Sequence, residues 1–149
     1  MKILILSDSH HKQLDFNFNQ FDYVLHAGDY GYEYETLLKN NIIFVKGNCD
    51  LEGTDEYILN LNDKKILLIH GHQKNVKSTY LNLSLYARSQ NVNLVIFGHT
   101  HYQDSFVDNG ITFINPGSYQ DGEYAILEDD NINFYFNNTI IKNIKLNWE

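Results

Sequence analysis

The sequence predicts an α/β fold with an all-strand tail, and three observations carry that prediction. Short apolar runs recur along the chain and keep ending in Asp, Asn or His. Segments with helical spacing separate several of these runs, and after Gly122 only strand-like stretches follow. With 149 residues, 43% of them hydrophobic, the chain suffices for one sizeable core, so 1–149 is expected to form a single domain.

The elements follow in chain order. "KILILSDSH" and "DYVLHAGD" each read as a buried strand closed by a tight turn, while "KQLDFNFNQF" between them is too irregular to assign. "YEYETLLKN" has the spacing of a short helix before the next strand, "NIIFVKGNCD". "KKILLIHGH" precedes the clearest helical stretch, "NVKSTYLNLSLYARSQN", in which Val76, Tyr80, Leu83 and Tyr86 or Ala87 fall on one face. "NLVIFGHTH" and "ITFINPGS" are two more strands, "EYAILEDDNINFYFNN" reads as two strands joined by an acidic turn, and "TIIKNIKLN" as the last strand.

Composition excludes several function classes. A net charge of -8 works against the attraction that drives non-specific nucleic-acid binding, so stable duplex binding is not expected. No stretch approaches the roughly 18 consecutive apolar residues of a membrane span. The apolar run of "MKILILSDSH" is too short for a secretory signal, and the lone Cys49 allows no internal disulfide. The expected location is the cytoplasm.

In sheets with helical crossovers, functional groups gather beyond the carboxyl ends of the strands. Here those ends supply Asp8, His10, Asp29, Asn48, His70, His72, His99 and His101. Carboxylate, amide and imidazole donors without thiolate pairs suit Mn, Fe, Zn or Ni. A pair of ions needs a carboxylate between them and then clamps a phosphoryl oxygen and a bridging hydroxide for in-line attack.

The ordered motifs "DSH" (Asp8 to His10), "GD" (Gly28-Asp29), "GNCD" (Gly47 to Asp50), "HGH" (His70 to His72) and "GHTH" (Gly98 to His101) resemble those of the calcineurin-like metallophosphoesterases. The small single-domain phosphodiesterase branch matches best, and the likeness runs into "NPGS", Asn115 to Ser118. Each motif alone is weak, but five in order after apolar runs are specific. The resemblance implies a four-layer α-β-β-α sandwich of two mixed β-sheets, with the strands after Gly122 in the second sheet.

It also implies a ligand set. Asp8, His10 and His101 would hold one divalent ion, Asn48, His70 and His99 the other, and Asp29 would bridge. The DxH spacing suits this because alternate residues past a strand end aim the same way, leaving Ser9 turned aside. Manganese is the expected metal, with Ni, Fe, Co, Zn or Mg as alternatives. Beyond the ligands, His72, Asp50 and Cys49 are the catalytic candidates: His72 beside a phosphate oxygen or the bridging solvent, Asp50 as an orienting acid.

Other readings compete residue by residue. His26 reads better as a hydrogen-bonded structural residue than as a chemical one, His11 as exposed or supporting, and Asp50 equally as a helix cap or surface charge. Cys49 is a departure from the superfamily, where a His commonly follows the Asn and protonates the leaving group. A thiol, with an ordinary pKa near 8.5, is a poorer acid for that step at neutral pH. The replacement resembles the small phosphodiesterase branch, where Cys at this position is familiar, and that resemblance implies small phosphodiesters rather than protein phosphate esters as substrates, with a monoesterase or nucleotide hydrolase as the alternative. A homo-oligomer is compatible with the sequence. A non-catalytic scaffold, which the same fold provides in the retromer complex, is the rival of another class. The "HTHYQD" stretch is superficially similar to the HxHxDH of metallo-β-lactamases, but Asp104 comes one residue late.

Overall fold

Two mixed β-sheets lie face to face in the computed structural model, which describes residues 1–148. In chain order the elements are β1 (Lys2–Leu6), β2 (Tyr23–His26), α1 (Tyr34–Lys39), β3 (Ile43–Phe44), β4 (Glu56–Leu61), β5 (Lys64–Ile69), α2 (Leu81–Ser89), β6 (Leu94–Ile96), β7 (Asp104–Asp108), β8 (Ile111–Asn115), β9 (Glu123–Glu128), β10 (Asn131–Phe136) and β11 (Thr139–Lys145). One sheet has the order β11-β10-β9-β1-β2-β3 and the other β4-β5-β6-β8-β7. Within them β1, β2 and β3 run parallel, as do β5, β6 and β8, and antiparallel strands complete the flanks.

The unbroken apolar runs follow from burial on both faces. Ile3 and Ile5 enter the core between the sheets, meeting Leu68, Leu94 and Ile96, while Leu4 and Leu6 face outward onto Leu37 of α1. On the other side Leu67, Val95 and Phe97 receive Leu83 and Ala87 of α2. Each buried Ile, Leu or Phe contributes roughly 1.5–3 kcal/mol. The expected α-β-β-α sandwich is therefore present, with α1 in one outer layer and α2 in the other.

Four local features differ from the sequence reading. The strands after Gly122 belong to the sheet of β1, not to the second sheet: β9 pairs antiparallel with β1 from Lys2↔Glu128 to Ile5↔Ala125. The chain is delivered there because Tyr119 N–H bonds the Ser7 carbonyl and Gln120 N–H the Asp8 carbonyl, just beyond the end of β1. Strands β4 and β7 were not anticipated; both are sheet edges whose acidic and exposed residues blur the apolar signal. The long helical stretch shortens to α2, because Asn75 turns left-handed (φ 56°) and Val76 and Tyr80 lie in turns. Those two side chains still pack in the cluster of Leu83 and Ala87, so their periodicity reported burial rather than helix. The irregular segment 12–21 holds a 3-10 turn at Phe18–Gln20, and its Leu14 and Phe16 cover the outer face of the β1 sheet.

Among the described residues, no helix is long and apolar enough to cross a membrane.

Candidate metal centre

The loops that follow β1, β2, β3, β5 and β6 converge, and with them converge the polar residues that end the apolar runs. Asp8 is fully buried at the end of β1. Its Oδ2 accepts bonds from the Ser7 hydroxyl (2.5 Å) and the His99 amide (3.0 Å). Its Oδ1 is buried and has no hydrogen-bond partner among the described residues, although His101 Nε2 (3.3 Å), His10 Nε2 (3.8 Å) and His70 Nε2 (3.9 Å) surround it. His10 Nε2 and His101 Nε2 approach each other to 3.2 Å.

A second convergence centres on His70. Its Nδ1 donates to the Ala27 carbonyl at 2.7 Å, so in the neutral ring Nε2 carries the free lone pair. That nitrogen faces Asp29 Oδ2 (3.2 Å), Asn48 Oδ1 (3.1 Å) and His99 Nδ1 (3.2 Å). Asp29 is also grouped with His10 and Cys49, within 4.8 Å donor to donor, so it stands between the two convergences.

The electrostatics match a site built for positive charge. Burial opposes ionisation of Asp8, but His101, His70, the Ser7 hydroxyl and the His99 amide together hold its carboxyl below the usual range. Asp29 is likewise held well below that range, against its burial, by His70 and the Cys49 amide. Burial disfavours charge on His70 too, yet Asp29 and Asp8 push it up, and the Asp8 carboxylate raises His101. His99, with burial and His70 against its charge, falls to about 4.

These residues fit divalent cations. The buried, unpartnered Asp8 Oδ1 and a ring of carboxylate oxygens, an amide oxygen and imidazole nitrogens bring many lone pairs and few hydrogens into one space. Donors of that hardness suit Mn, Fe, Zn or Ni.

Backbone strain accompanies the convergence. Asp8 (φ 50°), His10 (48°), Asp29 (60°), His99 (70°) and His101 (68°) all occupy the left-handed region, which costs an L-residue about 1–2 kcal/mol. The DxH residues thus share a side by a left-handed turn rather than by extended alternation. Ser9 between them does turn aside, its hydroxyl 2.9 Å from His26 Nε2. Two glycines permit close approach. A Cβ on Gly28 (φ 106°) would meet His70 Nδ1 and the Gly47 amide at 2.7 Å, and one on Gly98 would overlap Ser7 and Asp8.

The remaining candidates divide. The Asp50 carboxylate accepts the amides of Asp29 (2.7 Å), Gly47 (2.7 Å) and Tyr30 (3.2 Å), which ties the loops after β2 and β3, and no helix starts at Asp50. His72 lies beside His70, ring centroids 5.4 Å apart, with a buried Nδ1 that has no partner among the described residues. Cys49 is exposed, and partial desolvation of its sulfur with the nearby Asp29 and Asp50 charges raises the thiol pKa. His26 is fully buried; its Nδ1 accepts the Gly28 amide and burial lowers it to about 4, so it is a neutral support. His11 is exposed beside Tyr32.

Sequence reasoning gave no role to Asn115 and Ser118, both fully buried. Ser118 Oγ donates to the Asp8 carbonyl (2.9 Å), and Asn115 Nδ2 donates to Thr100 Oγ1 (2.9 Å) and the Gly98 carbonyl (3.3 Å). Their signal was the Pro-Gly turn in "NPGS".

Comparison with known proteins gives a consistent result. The profile of the calcineurin-like phosphoesterase superfamily domain matches residues 1–130. The probable metallophosphoesterase YsnB of Bacillus subtilis is 36% identical over 126 residues, covering 79% of this chain and 75% of that one. A conserved protein of Streptococcus pneumoniae TIGR4, described as a predicted phosphoesterase, superposes with a TM-score of 0.84 over 97% of both chains; at 24% identity this carries the fold alone. A novel archaeal phosphodiesterase of known structure is 25% identical, with a TM-score of 0.70 over 98% of this chain and 100% of that one.

Proposed function

Because this chain belongs to the calcineurin-like phosphoesterase superfamily, a class of metal-dependent phosphoester hydrolases, we propose that it hydrolyses small phosphodiesters at a pair of divalent ions. Asp8, His10 and His101 would hold one ion and Asn48, His70 and His99 the other, with Asp29 shared. The observation that carries this reading is the position of Asp29, between the Asp8/His10/His101 convergence and the His70/His99 one. When bound, the ions would supply Lewis acidity toward the phosphoryl oxygens and generate the attacking nucleophile from water at neutral pH.

The protein's own residues do the rest. Asp8 and Asp29, both ionised, set the negative charge that holds cations in place, while the neutral Asn48 adds an oxygen donor without repelling an incoming phosphate. His70 is fixed in one tautomer by the Ala27 carbonyl, so its Nε2 stays available as a donor atom. His72, whose Nδ1 is unpartnered and whose pKa burial lowers, would present its imidazole to a phosphate oxygen. Cys49 offers little acid catalysis because its thiol pKa is raised, so the reaction favours esters whose leaving group departs without a proton. The likeness to the archaeal phosphodiesterase supports diesters over monoesters. Manganese as the ion and the cytoplasm as the location belong to the same reading.

The test is chelation followed by re-addition of Mn, Ni, Co, Zn or Mg, with bis(p-nitrophenyl) phosphate and p-nitrophenyl phosphate as paired substrates. Two equivalents of ion and faster diester turnover are expected. Full turnover without metal would overturn the mechanism; two bound ions with no turnover on any phosphoester would favour the scaffold.

A further inference from the structure

We propose that the Asn115–Ser118 turn is a positioning clamp for one half of the centre, the Asp8/His10/His101 half, and sets how tightly that half holds its ion. This rests on the two-ion reading above. The turn leaves β8 inside the core and reaches both loops of that half with fully buried side chains. Ser118 Oγ holds the Asp8 carbonyl at 2.9 Å, and the amides of Tyr119 (2.9 Å) and Gln120 (3.2 Å) hold the carbonyls of Ser7 and Asp8. Asn115 Nδ2 holds Thr100 Oγ1 between His99 and His101, and Asn115 Oδ1 accepts the Gly117 amide (2.9 Å), which locks the clamp itself.

The clamp acts where strain must be held. Asp8 and His10 flank Ser9 in left-handed backbone, and His99 and His101 flank Thr100 in the same way. Such conformations persist only where the surroundings over-determine them. Asn115 Nδ2 also reaches the Gly98 carbonyl (3.3 Å), but His99 has a support outside the clamp: the Gly98 amide bonds the His70 carbonyl. The Asp29 and Asn48 loops have a tie of their own, the carboxylate of Asp50, besides the Asp8 and His10 amides that bond the Gly28 and Asp29 carbonyls. Releasing the clamp therefore loosens the Asp8–His10 and Thr100–His101 segments first, and leaves the Asp29/Asn48/His70 side in place.

Outer hydrogen bonds that orient metal ligands are typically worth about 10–100-fold in metal affinity. Titration calorimetry with Mn²⁺ on metal-free protein should resolve two binding events in the wild type. Ser118→Ala and Asn115→Ala should each weaken one event by about 10–100-fold and leave the other unchanged, and Ser118→Thr, which keeps the hydroxyl, should restore it. Thermal melts of the metal-free variants verify folding; if Asn115→Ala does not fold, the Ser118 pair decides. An unchanged isotherm in folded Ser118→Ala, or equal weakening of both events, overturns the clamp. If the wild type takes up a single ion, the two-ion reading falls and the clamp is judged on that event: weakening supports it, and no change overturns it. If it takes up none, both fall.

Discussion

The Asp29 amide donates to Asp50 Oδ2 at 2.7 Å while the Asp29 carboxylate faces His70 Nε2 at 3.2 Å. The two acids thus act in sequence: Asp50 holds backbone, and the backbone aims Asp29. The tie is reciprocal, because Asp29 Oδ1 accepts the Cys49 amide at 2.9 Å, so the loops after β2 and β3 fix each other. A carboxylate at the point where two donor groups meet, in left-handed backbone, is held there from behind.

Asp29→Asn is expected to lower kcat/KM on bis(p-nitrophenyl) phosphate by about 100-fold or more, because one substitution removes charge from both halves of the centre. The amide is isosteric, so the fold should persist. Elemental analysis of the purified variant should show loss of bound metal. Near-normal metal content and rate would remove Asp29 from the shared position.

Asp50→Asn tests positioning apart from ligation. The carboxylate accepts three amides with two oxygens; a carboxamide offers one oxygen and turns an NH₂ toward an amide. Losing such bonds from a half-buried acceptor costs about 1–3 kcal/mol, measurable by urea denaturation. Turnover should fall by about 10–100-fold, as for other residues that orient ligands. Stability lost with kcat intact would make Asp50 purely structural.

How far these features were legible in the sequence depends on what kind of signal each leaves. The convergent candidate donors were readable because Asp8, Asp29, His70, His99 and His101 interrupt or end apolar runs, where burial makes a polar residue conspicuous. The clamp was not, since Asn115 and Ser118 act through hydrogen bonds to residues tens of positions away, and no local pattern encodes those partners. Strands β4 and β7 escaped because an edge strand with one open side mixes Tyr57 or Val107 with charged neighbours. The placement of β9 beside β1 is likewise a long-range pairing, set by the Tyr119 and Gln120 amides rather than by the alternation inside β9.

His26 makes stability pH-dependent in a defined direction. Burial lowers its pKa from 6.5 to about 4, so between those values the unfolded chain binds the proton more readily than the folded one. Stability is then full above pH 6.5 and declines as pH falls toward 4, by on the order of 3 kcal/mol for this group. His99, also lowered to about 4, acts in the same direction, so the comparison of interest is wild type against His26→Gln. In metal-free protein, urea denaturation from pH 7 to 4.5 should show a shallower decline for His26→Gln. Parallel curves would mean that His26 binds its proton as readily in the fold as in the unfolded chain. With metal restored, His26→Gln should retain turnover, since His26 touches Ser9 and the Gly28 amide and not the convergent donor atoms.

Cys49 decides which esters react. Burial together with the Asp29 and Asp50 charges raises the thiol pKa, so at neutral pH the group is a thiol and a weak proton donor. General acid assistance is typically worth about 10²–10⁴-fold, and its absence should appear as a steep dependence of rate on leaving-group pKa. Across substituted phenyl diesters, the p-nitrophenyl ester should react well and simple alkyl esters poorly. Cys49→Ser should alter hydrolysis of the activated ester little, because its phenolate departs unaided. Cys49→His, with an imidazole on the same exposed turn, should flatten the dependence by accelerating the poorer leaving groups. The measurement is a pH–rate profile for each ester with both variants and the metal content of each. Loss of p-nitrophenyl ester hydrolysis in Cys49→Ser with metal still bound would assign the sulfur, which lies within reach of His10 and Asp29, a direct part in the chemistry.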